Sequence, residues 1–329
     1  MTTTIIEVVP GVDPMSEPHS RSTKPPKPPK VPKPPRRMPR PARAPIALTQ
    51  AQFFARSSLA VVAALLIAFV LNVAVLSQIQ HAVAQQRLRD DLTEQLAAGT
   101  LPVSEGDIDD HLVVDGVPLG LLSIPSLGVN QVFVEGTSGS TLAAGPGHRR
   151  DTVLPGQIGT SVLMGRAAAY GGPLARIQEL APGDRFTVRT GQGVTDFSVI
   201  GVRYAGDPVP SAPTGKQSRL ILETARGAPF APSGVAYVDA QATSTALPPG
   251  TRQTTFAALP ATAQPLASDT STVWALVFAL QFLIVVEIGA VWAYRRIGAQ
   301  KTWIVFVPLT VLAGIYVTNQ VTILLPNLL

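Results

Sequence analysis

The residues in this sequence best equipped for chemistry begin with a carboxyl in surroundings hostile to charge. Glu287 is the one acid in the apolar run 272–294, where a carboxyl has no water and must be neutral or find a partner. It lies about two helical turns before Arg295, which predicts Thr310 opposite it in the return run 303–325. At a second level Gln281 falls near Asn319, Gln320 and, on an earlier run, Asn72, so a packed bundle with a polar layer is expected. Two uses remain open for Glu287: an ion or proton path or contact with a partner's helix, and a carboxyl simply satisfied within the bundle.

Outside these runs the inventory is short. Cysteine is absent from all 329 residues, which excludes a thiol nucleophile, disulfides and thiolate metal sites. His148, in GPGHRR, is the only histidine between 117 and 242, and a lone histidine in a turn reads first as structural and second as a base. The glycines of Gly145-Pro146-Gly147 match neither a phosphate loop nor a dinucleotide fingerprint, and no His or carboxylate group has metal-ligand spacing. No cofactor and no metal are therefore expected.

Three segments must position whatever chemistry remains. Residues 57–77 carry no charge and are long enough, at ~1.5 Å per residue, to cross a ~30 Å hydrocarbon core. A cleavable signal is the rival reading, since Ala82-Val83-Ala84 follows the run, but signal cores are shorter, about 7–15 residues. The runs 272–294 and 303–325 are joined by the basic link Arg295, Arg296 and Lys301 and bounded by Trp274, Trp292, Tyr294 and Trp303, which predicts a hairpin of two spans. Residues 1–56 hold 10 Lys/Arg against 3 Asp/Glu, whereas 78–271 hold 13 against 17. The positive-inside rule then places the N-terminus and the link in the cytoplasm, and 78–271 and the last residues, 326–329, outside. This asymmetry signals orientation in a multi-pass membrane protein, and no nucleic-acid partner is expected.

The segment 1–56 reads as a disordered, Pro/Lys/Arg-rich tail. In its repeat KPPKPPKVPKPPRR the three-residue turn of polyproline II stacks Lys24, Lys27, Lys30, Lys33 and Arg36 along one edge, and Arg37, Arg40 and Arg43 form a second row. Anionic lipids of the inner leaflet are one partner for such a rod, and an acidic or proline-reading cytoplasmic protein is the other.

Residues 78–116 read as a juxtamembrane helix ending at Gly99, followed by a linker. From 117 to 242 the texture changes to short β-rich runs broken by Gly and Pro, which predicts a barrel or sandwich. Residues 243–271, rich in Thr, Ala and Pro, read as an extracellular linker, and 303–329 as the last span with the C-terminus.

The order IPSLGVNQVFVEGTS, GPGHRRDTVLPGQIG, VLMGRAAAYGGPLARIQELAPGD and RLILETARGAPF resembles the sortase family, particularly its actinobacterial, class E-like type, across roughly 120–240. The resemblance implies a membrane-anchored, mainly-β protein: a closed barrel of about eight strands with short helices, carried by three transmembrane helices. It also implies a cysteine, a histidine and an arginine acting on a sorting-signal peptide. In this sequence Arg166 follows VLMG where the family has its histidine, Ala225 stands where the cysteine would end its strand, and no arginine occurs between Arg226 and Arg252. Glu223 shares the face of Ala225 by strand alternation, and Thr224 points the other way.

Loss of one member of a catalytic unit lowers turnover by about a millionfold, so these vacancies predict that the chain is not an enzyme. On that reading it is a scaffold or binding protein of the cell envelope. The barrel would engage an extracellular protein or peptide, Arg166 and Arg226 would offer a carboxylate-binding pair, and Glu223 and His148 would be further candidates. The alternatives are a transpeptidase or hydrolase with a non-cysteine mechanism, and a receptor for sorting-signal-like peptides or cell-wall fragments.

Overall fold

The computed structural model describes residues 50–106 and 111–329. The Lys/Arg rows between Lys24 and Arg43 lie outside the described residues. Two helices, α1 (Gln50–Leu71) and α2 (Ser77–Ala98), run on without a break through a π-helical stretch at Asn72–Leu76. Gly99 ends α2 in the left-handed region, φ 69°, with its N–H returned to the last carbonyls of the helix. Only glycine adopts that C-terminal turn at little cost.

Eight strands follow: β1 (Pro118–Ile124), β2 (Val129–Glu135), β3 (Gly147–His148), β4 (Gly159–Met164), β5 (Arg185–Thr190), β6 (Gly193–Tyr204), β7 (Ser218–Ala228) and β8 (Ala231–Ala242). They close in the order β1-β2-β3-β4-β7-β8-β6-β5, so no edge is left open. The pairs β2–β3 and β4–β7 are parallel and the others antiparallel. A one-turn helix, α3 (Gly139–Leu142), crosses between β2 and β3. Between β4 and β5 the chain makes a single 3-10 turn at Ile177–Glu179.

Strand alternation decides which side chains fill the barrel. Leu220 and Leu222 of β7, Leu163 of β4 and Val238 and Ala240 of β8 point inward and pack with Phe133, Phe186 and Phe197. Their neighbours Val162, Met164, Ile221, Ala225, Val235 and Tyr237 form a second apolar cluster on the outer face. Gly120 allows the wall to close, because a Cβ there would overlap the Arg189 carbonyl and approach Phe133 within 2.7 Å. Beyond the barrel, β7 and β8 continue as a two-residue hairpin at Pro229-Phe230, with Phe230 at φ 62°.

The α2 helix is pinned to the barrel instead of standing free as a stalk. The Gln85 side chain accepts from the Val132 N–H at 2.8 Å and donates to the Val132 and Ala144 carbonyls. Leu88 and Leu92 bury against Val132 and Val134 below it.

The chain then leaves the barrel for α4 (Val273–Ile297) and α5 (Ala299–Ile323), antiparallel across Gly298. Three helices are long and apolar enough to cross a membrane, within 62–98, 270–297 and 300–323. Ala279, Leu283, Ala313 and Val317 form the seam between α4 and α5, and Leu65 of α1 packs against it. Small residues at such a seam let the backbones approach.

Candidate active site

The outer face of β4, β7 and β8 carries the second apolar cluster, and Ala225 lies in it with 5% of its surface exposed. Glu223, two residues back on the same face, is buried beside Arg149. Its Oε1 lies 3.6 Å from Arg149 Nη1, while its Oε2 has no hydrogen-bond partner. Burial dominates and pushes the Glu223 carboxyl up to about 7, although Arg149 and Arg203 pull in the other direction. Arg149 is itself held by Asp151 at 2.7 Å, and Arg203 by Asp239 at 2.6 Å, with the Arg203 guanidinium 4.2 Å from the Tyr237 ring centre. A neutral-range acid thus sits between two engaged guanidinium groups.

Thr224 turns away, as strand alternation requires, and its hydroxyl donates to the Gly165 carbonyl at 3.0 Å. Arg166 and Arg226 are not a pair. Arg166 is fully buried and donates to the Gly139 carbonyl at 2.8 Å and the Leu329 carbonyl at 3.0 Å, with Tyr170 stacked at 5.0 Å. Desolvation lowers its pKa to about 10. Arg226 is exposed, immediately before the register shift in β7, and lies over Tyr204 at 4.2 Å. The two arginines therefore cannot grip one external carboxylate as expected, because burial of Arg166 commits it to main-chain carbonyls.

His148 is also committed. Its Nδ1 bonds Glu135 at 3.1 Å, and its Nε2 lies 3.0 Å from the Val153 carbonyl. Both nitrogens are engaged inside the fold, which fits a structural role.

In the three long apolar helices the polar residues divide differently from the expected layer. Asn72, fully buried in the π-helical stretch, accepts from Thr322 at 3.0 Å. Gln320 is buried, the Oδ1 of Asn319 has no partner, and Gln281 is exposed on the outer side of α4. Helix rotation, not depth, separates Gln281 from the others. Glu287 and Thr310 line one cavity of about 620 Å³ between α1, α4 and α5.

Sequence reasoning found Glu223 but missed Arg149, Asp151, Arg203, Tyr237 and Asp239. A signal did exist, since Tyr237 and Asp239 alternate along VAYVDAQ and Arg149 adjoins His148. Among the described residues no three His, Asp or Glu side chains gather as a metal site needs.

A sortase-domain family model matches residues 122–229. Those residues are a sortase domain by this match, which spans about a third of the chain. Among solved structures it is similar to a sortase D transpeptidase from Clostridium perfringens, at 15% identity and TM-score 0.38, covering 49% of this chain and 96% of that one. A sortase E from Streptomyces coelicolor with a tripeptide in its active site aligns at 20% identity and TM-score 0.35, covering 41% and 93%. A sortase from Actinomyces oris aligns at 23% identity and TM-score 0.36, covering 44% and 87%. No curated protein sequence matches the chain.

The family match corrects one expectation. Vacancies at Arg166 and Ala225 predicted that this sortase is not an enzyme, whereas a sortase domain across 122–229 points to transpeptidase activity. Absence of a thiol removes thiolate attack, but the buried Glu223 carboxyl remains beside Ala225.

Proposed function

We propose that the barrel acts on an extracellular peptide or cell-wall fragment by acyl transfer or hydrolysis without a thiolate. The observation that carries this reading is the Glu223 carboxyl, buried on the same face as Ala225 beside Arg149, where desolvation pushes its pKa up to about 7. A group with a pKa near the working pH is suited to take and return a proton. In this mechanism the Glu223 carboxylate accepts a proton from a water molecule whose oxygen attacks the bound carbonyl carbon. The Arg149 guanidinium faces the oxygen that becomes negative. Glu223 then returns the proton to the departing nitrogen as the C–N bond breaks, leaving a carboxylic acid and an amine. In the transfer version an incoming amine takes the place of water, losing its proton to Glu223 and forming a new amide.

Membrane placement supports an extracellular substrate. With Arg295, Arg296 and Lys301 in the cytoplasm, three crossings put the barrel outside. The N-terminal tail, with its Lys and Arg rows, would rest on anionic lipid or an acidic partner at the inner face.

The test is turnover of labelled cell-wall peptides, with and without an added amine, by the full chain in proteoliposomes. Product formation should be lost in Glu223→Ala and unaffected by a thiol-blocking reagent. Lack of any product, or full activity in Glu223→Ala, would sink the proposal.

A further inference from the structure

The groove beside Ala225 is already filled by residues from the far end of the sequence. After α5 the chain turns back, and Pro326 pairs with Ser268 in an antiparallel bridge. Asn327 is fully buried; its N–H donates to the Ala267 carbonyl at 2.8 Å and its side chain donates to the Thr262 and Gln264 carbonyls. Leu328 and Leu329, 0% and 4% exposed, then pack into the outer cluster with Val162, Met164, Ala225 and Val235.

The main chain of this segment is read as well as its side chains. The Ala167 N–H donates to the Leu328 carbonyl at 2.8 Å, and Arg166 donates to the next carbonyl, that of Leu329. Consecutive carbonyls on two donors, with consecutive apolar side chains in a groove, describe how a site recognises a peptide. A buried guanidinium has a large desolvation cost and persists where its hydrogen bonds are made. Arg166 makes one of its two bonds to this segment, and its Nε is left without a partner.

We propose that Leu325–Leu329 is a built-in ligand of the groove. It occupies the subsite for an apolar residue pair of a peptide, reads out through the Ala167 N–H and Arg166, and must leave before such a peptide reaches the face of Ala225 and Glu223. This deepens the proposed function by naming the ligand chemistry and a competitor within the same chain. The ligand chemistry rests on that function, but the occupancy is tested by access instead of turnover, so either can fail alone.

The absence of cysteine makes the test clean, because Ala225→Cys in the full chain introduces the sole thiol. In nanodiscs, labelling of Ala225→Cys by a maleimide should be slow. Adding Leu328→Asp and Leu329→Asp should speed it at least about tenfold, since two buried apolar anchors are lost. An acetylated peptide with the sequence of residues 325–329 should then restore protection. A thiol placed in the barrel interior by Leu222→Cys, in a separate chain, should stay unlabelled with the same substitutions and so report an intact core. Where it labels, the milder Leu328→Ala, Leu329→Ala pair decides the result. Fast labelling of intact Ala225→Cys, equal slow labelling after the tail is altered, or failure of the peptide to protect would each overturn the proposal.

Discussion

Glu223 and Arg149 stand 3.6 Å apart, oxygen to nitrogen, beyond hydrogen-bond reach. An acid buried next to a cation normally ionises more readily, yet here desolvation outweighs the attraction and raises the pKa to about 7. Asp151, which holds the same guanidinium, adds a negative charge that offsets part of its pull on Glu223.

A folded-state pKa raised from 4.5 to about 7 means that the native protein holds the Glu223 proton more tightly than the unfolded chain. The contribution to stability is fully present below pH 4.5 and is lost as pH rises through 7. Thermal melts of the full chain should therefore fall between these limits relative to Glu223→Gln, which cannot titrate. The difference should reach on the order of 3 kcal/mol. Turnover that depends on the carboxylate as base should rise through the same upper limit. Melting curves of the two proteins that shift in parallel with pH would contradict the assignment.

His148→Ala should cost stability and spare chemistry. Removing the ring strips a partner from the buried Glu135 and from the Val153 carbonyl, a loss of about 3–5 kcal/mol if Glu135 stays charged. Denaturant midpoints and turnover of the surviving folded fraction separate these effects. Loss of turnover in protein that remains folded would restore His148 as a base.

Gln85→Leu should loosen the α2 helix from the barrel. Three hydrogen bonds converge on this amide, and leaving the Val132 N–H and the two carbonyls unsatisfied costs about 1–3 kcal/mol each at most. Hydrogen exchange should accelerate along β2 while the interior strands β7 and β8 change little. Uniform exchange across the barrel would mean that α2 is part of its cooperative core.

Asn72→Leu should weaken the bundle by about 0.6–2 kcal/mol, the range for polar contacts between membrane helices, because the contact of Asn72 with Thr322 is lost and the Thr322 hydroxyl keeps only the Thr318 carbonyl of its own helix. Titration with a denaturing detergent measures this directly. Thr322→Val combined with Asn72→Leu should cost little more than either alone, since the two residues form one contact.

The barrel was legible because Gly- and Pro-punctuated β-rich runs carry an alternating inside and outside, and Leu220, Leu222 and Val238 obey it. The same alternation put Glu223 and Ala225 on one face. Glu287 and Thr310 line one cavity, but the rotation of α4 was not legible, and Gln281 turned outward. Contacts between distant segments left no trace in local pattern: Leu328 and Leu329 read as a continuation of an apolar span, and Arg166 read as an exposed cation. The inference that this sortase had lost its chemistry failed at another level, since a missing residue excludes a mechanism and a groove with a titratable acid can host another.

The unbroken passage from α1 through Asn72–Leu76 into α2, with Gln85 clasping β2, holds the barrel at a set distance from the apolar part of α1, and on the proposed function that distance is its height above the lipid. A partner tethered in the same bilayer must carry its reactive bond on a leash matched to that height. Leash length then becomes a sieve that acts before any side chain is read.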